Sequence, residues 1–458
     1  MGCRGDEVTH VLMVTLPMQG HINPMLKLAK LLVPRNVHVT LATGEQTRQR
    51  LCSGGTPNPS LDLAFFSDHL DDETRNNETM LESLRQVGHK NLSEIITNLS
   101  KDRKFSCIIS SPFTPWVPGV ASAHGIPCAV LWIQACGVFS AYYRYYTNPN
   151  AFPDLNDLNQ TLKLPALPLL EVRDLPSFIL PSSGGVFGKL MEDFVDCLNS
   201  VKWVLVNSFQ ELEPEIIESM SGLKPLIPIG PLVSQSLLKE EEKEDEALNG
   251  KTLDLWKSED SCIEWLDKQA PSSVIYISFG SILKSTENQI ASIATALKNK
   301  GKPFLWVIRP VERALNDAVL QEMVGQGRGK VVEWGPQEKV LGHVAVACFV
   351  THCGWNSALE TVAAGVPVVA YPVWTDQPTD ARLLVDVFGV GVRMRNGDGG
   401  ELETAEVERC ITAVTEGPAA GEMRRRAAEH KAAARMAVAR DGSSSRNLDA
   451  FIGDIMRT

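Results

Sequence analysis

An α/β fold made of two nucleotide-fold domains facing each other across a cleft is the architecture this sequence predicts. Short apolar runs bounded by Gly, Pro or polar turns alternate with helix-period stretches along most of the chain. Those runs lack strict apolar–polar alternation, which is how parallel strands covered on both faces read. The chain also has 458 residues, about three times a typical single domain, so two or more cores are expected.

In the first half, strands are predicted at Val8–Leu16, Val37–Ala42, Leu61–Phe66, Cys107–Ser110, Cys128–Ile133 and Trp203–Val206, with helices such as Asn23–Leu32 between them. The first run follows Asp6 and Glu7 and contains His10, so it reads as a strand and not as a signal peptide or membrane span. From Lys239 to Glu246 the chain reads Lys-Glu-Glu-Glu-Lys-Glu-Asp-Glu, followed by Asn249-Gly250. Such a charge run cannot be buried. It marks an exposed acidic linker, residues 239–252, between an N-terminal domain (1–238) and a C-terminal domain (253–440).

The second half alternates more cleanly. Strands are expected at Val274–Phe279, Phe304–Ile308, Val331–Trp334, Cys348–Thr351, Val368–Tyr371 and Gly391–Met394, and helices at Asn288–Leu297, Ala358–Ala364 and Thr379–Val387. The Ala-, Arg- and Lys-rich stretch Ala427–Ala439 reads as a surface helix, and residues 441–458 as a closing helix that returns to the N-terminal domain.

Composition narrows the function. The charge is 44 Lys plus Arg against 55 Asp plus Glu, a net −11, with no basic block, which argues against nucleic acid as a partner. Ten cysteines are scattered without a Cys-x-x-Cys pair, several inside apolar runs (Cys107, Cys128, Cys348), as expected of reduced thiols in a cytoplasmic protein. The Asn-x-Ser/Thr matches at Asn77, Asn91, Asn98 and Asn159 then carry no meaning. Met1-Gly2-Cys3 lacks the Ser or Thr at position six that myristoylation needs, since Asp6 stands there.

The chemistry concentrates between Trp334 and Gln377. The apolar strand Cys348–Thr351 ends in His352-Cys353-Gly354, and a helix opens at Trp355-Asn356-Ser357. A strand entering a helix N-terminus through Gly presents unpaired N–H groups and the positive dipole end, which suits a diphosphate. His352, Asn356 and Ser357 add donors there. Glu360, one turn later, can accept from ribose hydroxyls, and Asp376-Gln377 after the next strand offers acceptors and donors for a polyol. Taken singly, each has an ordinary structural explanation: a core histidine, an N-cap, a solvated glutamate, a core aromatic. Their joint placement on consecutive strand ends favours a ligand site.

This 44-residue segment resembles the signature box of plant family 1 UDP-glycosyltransferases, matching at Trp334, Gln337, His352, Gly354, Trp355, Asn356, Ser357, Glu360, Gly365, Pro367, Asp376 and Gln377. MQGHINPM, VNSFQELEPE, PIGPL, CIEWLDKQAPSSVIYISFGS, FLWVIRP and GSSSRNLDAF extend the likeness along nearly the whole chain. The resemblance implies a GT-B fold of two Rossmann-like domains, the sugar donor held mainly by the second and the acceptor by the first. It implies that Trp334 stacks on uracil, Gln337 contacts the uridine and Glu360 binds the ribose. Ser281, His352, Asn356 and Ser357 would then bind the diphosphate, and Trp355, Asp376 and Gln377 the sugar. Gln377 at the last box position resembles glucose-using members. UDP-glucose would be a co-substrate, with no metal or other cofactor, and the enzyme a monomer. His21, in Met18-Gln19-Gly20-His21, occupies the position of the family's catalytic base, where a near-neutral imidazole can take a proton from an acceptor hydroxyl.

The departure from the family is at Gly119. In the stretch PFTPWVPGVA the family's dyad Asp aligns with this glycine, and Ser110, Ser111 or a water are the expected replacements. A carboxylic acid with a pKa near 4 is already ionised at neutral pH, whereas a phenol near 10 is not, so an ester-forming enzyme needs the dyad less. The stretch from SSPFTPW to Ala141-Tyr142-Tyr143 also resembles the branch with hydroxycinnamate, benzoate and auxin ester-forming enzymes. An inverting glucosyltransferase acting on the carboxylate of a small lipophilic aromatic acid is therefore expected. The alternatives are O-glucosylation of a phenolic or alcoholic hydroxyl and a catalytically silent nucleotide-sugar binder. A dehydrogenase is disfavoured, because Ser278-Phe279-Gly280-Ser281 is not Gly-x-Gly-x-x-Gly. The acceptor pocket is expected around Pro112–Thr114, Cys136–Tyr146 and Ser182–Phe194.

Overall fold

The computed structural model describes residues 9–52, 60–71, 73–238, 261–280, 285–309 and 318–457. The acidic run at Lys239–Glu246 with Asn249-Gly250, Met1–Cys3, Asp6-Glu7 and Ser281 lie outside the described residues.

The N-terminal half supplies, in chain order, β1 (Thr9–Val14), β2 (Val37–Gly44), β3 (Leu61–Phe66), β4 (Phe105–Ser110) and β5 (Cys128–Trp132). A short antiparallel pair follows, β6 (Thr161–Lys163) and β7 (Leu169–Glu171), then β8 (Trp203–Val206) and β9 (Leu226–Pro228). All but β6 and β7 form one parallel sheet in the order β3-β2-β1-β4-β5-β8-β9. The C-terminal half gives β10 (Val274–Ser278), β11 (Phe304–Val307), β12 (Gly329–Val332), β13 (Val346–Thr351), β14 (Val368–Ala370) and β15 (Gly391–Arg393), parallel in the order β12-β11-β10-β13-β14-β15. The predicted strands are present with ends shifted by a few residues. The three-residue strands β6, β7 and β9 carry too little pattern to be read from sequence. Because β12 stops at Val332, Trp334 lies beyond the strand it was expected to end.

Both sheets reverse direction of growth beside their first strand, between β1 and β4 and between β10 and β13. In open parallel sheets the crevice outside the carboxyl ends at such a point is where ligands bind. The chain leaving β1 enters α1 (Gln19–Leu32), whose Ile22, Met25, Leu26, Ala29 and Leu32 are buried at helical spacing. Next along the site come α2 (Val117–Ala123) and α3 (Cys136–Thr147) in the first half, then α4 (Trp355–Ala364) and α5 (Gln377–Arg382) in the second. The helix expected over Thr379–Val387 is α5 followed by a π-helical turn, Leu383–Val387.

Two C-terminal helices close the fold, and the second crosses to the N-terminal half. In α6 (Ala420–Val438), Ala427, Ala434 and Ala437 are buried, and the helix packs closely on α4, so only its outer face is the surface helix expected. The last helix, α7 (Ser443–Met456), buries Leu448, Phe451, Ile452 and Ile455 in one core with Val11, Met13 and Leu131 of the N-terminal sheet. Each such side chain contributes about 1.5–3 kcal/mol. Phe451 meets Trp203 edge-on at 5.4 Å, and Asn447 donates to the Pro228 carbonyl at 2.8 Å. Among the described residues no cysteine is paired, and no helix is long and apolar enough to cross a membrane.

Candidate active site

A cleft of about 1670 Å³ lies between the carboxyl ends of the two sheets. Pockets for one small ligand are about 300–1,000 Å³, so there is room here for two substrates together. The two walls are built differently.

On the C-terminal wall, β13 delivers His352 and the chain turns into α4 through Gly354, whose helix start has no side-chain cap and so leaves backbone N–H groups for a ligand. The imidazole packs between two glycines. A Cβ at Gly280 (φ +76°) or at Gly354 would stand 2.7 Å from its Nε2, so neither position tolerates a side chain without displacing His352. Burial pushes the His352 pKa down to about 4, so the ring is neutral at pH 7 and donates from a single N–H.

Behind it lies a hydrogen-bonded set. Gln337 donates from Nε2 to Ser357 Oγ (2.8 Å) and Glu360 Oε2 (2.7 Å), and its Oε1 accepts from the Tyr276 hydroxyl (3.2 Å). The carboxamide of Gln337 therefore orders Ser357 and Glu360. Lys27 of α1 reaches across the cleft to Glu338 at 2.8 Å and stands 3.7 Å from Glu360. Trp334 lines the cleft beside this set. Asn356 donates to the Gly20 carbonyl at 3.1 Å, which ties the donor wall to the backbone next to His21.

Trp355 lines the cleft, but its indole is engaged within the protein. The residue is 2% exposed and its indole N–H donates to the Asn207 carbonyl at 2.7 Å, which ties the start of α4 to the N-terminal half; its backbone N–H is taken up as well. Asp376 accepts from that backbone N–H and from the Thr375 hydroxyl, and burial raises its pKa. Gln377 accepts from the Val373 and Trp374 N–H groups (3.0 and 3.2 Å) through Oε1, which leaves Nε2 as the end able to donate to a ligand.

On the N-terminal wall, His21 sits in the first turn of α1. Its Nδ1 is 3.4 Å from the Ser111 hydroxyl, at the end of β4, and its ring meets Phe113 edge-on at 4.6 Å. Burial lowers its pKa to about 4. Gly119 makes no contact with this imidazole. It is an exposed residue of α2 outside the cleft lining, and a Cβ built on it has nothing within 4 Å. The group at His21 Nδ1 is Ser111, one of the replacements expected for the missing carboxylate.

The acceptor end is aromatic. Phe178 stacks on Phe187 at 4.8 Å, and both meet Trp374 near-perpendicularly at 5.8 Å. Of the expected acceptor segments, Pro112–Thr114 contributes Phe113 and Ser182–Phe194 contributes Phe187. Cys136–Tyr146 contributes nothing. It is α3, with Cys136 to Tyr142 buried and its first N–H groups accepted by Glu213, and its apolar sequence belongs to the core. Phe178, Lys27, Tyr276 and Gln134 were not singled out from sequence. Gln134 could have been, since it follows β5 as Ser111 follows β4.

Comparison with known proteins agrees with this geometry. Residues 258–423 match the family described as UDP-glucoronosyl and UDP-glucosyl transferase. The chain is 66% identical to UDP-glycosyltransferase 84B1 of Arabidopsis thaliana over 99% of both chains. It is 40% identical to gallate 1-beta-glucosyltransferase 84A24 of Punica granatum over 99% of this chain and 90% of that one. The structure of Os79 from O. sativa in complex with UDP superposes with a TM-score of 0.86 at 31% identity, covering 97% of this chain and 100% of the other. With two Rossmann-like domains in the GT-B arrangement, and relatives matching from end to end, the chain belongs to the UDP-glycosyltransferase family and is an enzyme of that family.

Proposed function

We propose that this enzyme moves glucose from UDP-glucose to the carboxylate of a small aromatic acid, giving a glucose ester with inversion at the anomeric carbon. The observation that carries the reading is the pairing at His21. Its Nδ1 faces a serine hydroxyl where a carboxylate would be needed to steady an imidazolium, and burial already holds its pKa near 4. Taking a proton from a phenol with a pKa near 10 is steeply uphill for such a base, whereas an acid with a pKa near 4 arrives ionised. The relative named for gallate supports an aromatic acid as the acceptor class.

In this reading the carboxylate oxygen attacks C1 from the side opposite the diphosphate, the C1–O bond to UDP breaks, and the negative charge passes to the leaving group. His352, Ser357 and the start of α4 meet that charge with N–H and O–H donors. Glu360 accepts from ribose hydroxyls. Trp334 stacks on the base. Asp376 and the Nε2 of Gln377 hold the sugar, and a site shaped to one hydroxyl geometry leaves polar groups unpaired with its epimer. His21 lies beside the attacking oxygen and positions it. The retained imidazole is the one feature favouring hydroxyl acceptors as a second reading.

The test is initial rates with UDP-glucose against matched benzoic acids and phenols, and with UDP-galactose on the best acceptor. Acids are expected to outrun phenols, and glucose to outrun galactose. Phenols turning over faster than their acid analogues would remove the ester reading, and equal kcat/KM for the two sugars would remove the donor assignment.

A further inference from the structure

On the N-terminal wall, from Leu81 to Ile229, the cleft is lined by apolar residues, among them Phe113, Ile133, Phe178 and Phe187, and by one polar side chain, Gln134. Gln134 follows β5, which neighbours β4 in the sheet, so it stands in the same row of strand ends as Ser111 and His21. It is 6% exposed. Its Oε1 is sealed from solvent without a hydrogen-bond partner, while its Nε2 is not sealed and makes no hydrogen bond to a described residue, which leaves that end open to a ligand. Buried amides are normally satisfied, because an unpaired one loses its water and gains nothing in exchange. Gln337 and Gln377 on the opposite wall have their amide oxygens engaged by protein donors, whereas Gln19 Oε1 and His352 Nδ1 are, like Gln134 Oε1, sealed without a partner.

We infer that Gln134 is a binding residue for the acceptor, its Nε2 donating a hydrogen bond to the acceptor's anionic oxygen. The inference rests on the acid-acceptor reading above and gives that site its polar contact. The chemistry favours an amide there. A lysine or arginine would hold the carboxylate as an ion pair and blunt its attack, and a glutamate would repel it. A neutral N–H fixes one carboxylate oxygen while leaving the other free to bond to C1. The aromatic residues around it supply the surface for the ring of the acid.

The experiment is steady-state kinetics of wild type, Gln134→Ala and Gln134→Glu, with a benzoic acid and its phenol analogue, each at varied UDP-glucose. UDP affinity by calorimetry shows that each variant keeps a folded donor site. Gln134→Ala is expected to raise the KM for the acid about tenfold, the loss of one hydrogen bond to a charged group, with the KM for UDP-glucose unchanged. Gln134→Glu is expected to raise the acid KM further and to leave the phenol, which carries no charge, less affected than the acid. A rise in the KM for UDP-glucose would place Gln134 on the sugar and overturn the inference, as would an unchanged acceptor KM. If wild type turns over only phenols, the ester reading falls. The contact at Gln134 is then read from the phenol: a raised KM in Gln134→Ala keeps it, and an unchanged one removes it.

Discussion

The two walls of the cleft differ in how far they are finished before any ligand arrives. On the C-terminal wall nearly every polar side chain has its place fixed: Gln337 holds Ser357 and Glu360, backbone N–H groups hold Gln377, and two glycines clasp His352. On the N-terminal wall the acceptor end is apolar, with Phe113, Phe178 and Phe187 at its face, His21 has one long contact to Ser111, and Gln134 has none. A preordered polar wall loses little entropy on binding and rejects wrong hydroxyl geometries. An apolar acceptor end with few polar demands accepts flat molecules of varied outline. One chain can thus be strict toward its donor and permissive toward its acceptor.

Replacing His21 gives the largest expected effect. His21→Ala is expected to cut turnover of a phenol by a factor on the order of 10²–10⁴, as loss of a general base does, and turnover of an acid by much less. Equal losses in kcat/KM for both acceptors would mean that the imbalance at His21 does not select the acceptor. On the other wall, His352→Ala is expected to weaken UDP itself by roughly 10–100-fold, the value of one strong hydrogen bond to a diphosphate. Calorimetry with UDP alone checks this, and an unchanged Kd would make His352 a packing residue. Ser111→Asp sharpens the comparison, since it puts a carboxylate where the imidazolium needs one. It is expected to speed phenols about tenfold and acids hardly at all, provided circular dichroism shows that the buried charge is tolerated. The smallest effect belongs to Gly119→Asp, whose new side chain points to open space. Its acid-to-phenol rate ratio is expected to stay that of wild type, and its stability within about 0.5 kcal/mol.

Much of the donor wall was legible in the sequence because it is local. From Trp334 to Gln377 the chain visits the end of one strand after another, so spacing alone brings His352, Ser357, Glu360 and Gln377 together. Side-chain direction was not legible. Trp355 reads like a ligand residue, yet its indole turns away to the Asn207 carbonyl, 148 residues earlier. The acceptor wall is assembled from the ends of β1, β4 and β5, the 3-10 turn Ser177–Ile179 and the helix Gly185–Cys197, and no contiguous stretch records it. The sequence therefore leaves Ser110, Ser111 and a water open as the partner of His21, and the fold selects Ser111. Gly119, where the resemblance places the dyad Asp, is an exposed residue of α2. The apolar helix α3 was misplaced for a related reason, since a buried helix and an aromatic pocket segment have the same composition.

One acceptor puts the central claim to the test within a single molecule. 4-Hydroxybenzoic acid carries a carboxylate and a phenol on one ring, so both compete for the same cleft and the same UDP-glucose. Brief treatment of the product with dilute base cleaves a glucose ester and spares a phenolic glucoside, and chromatography before and after treatment gives the ratio. The expected result is a predominantly base-labile product in wild type. A predominantly base-stable product would contradict the claim, because it would show that the His21–Ser111 pair deprotonates a phenol more readily than the cleft presents an ionised acid.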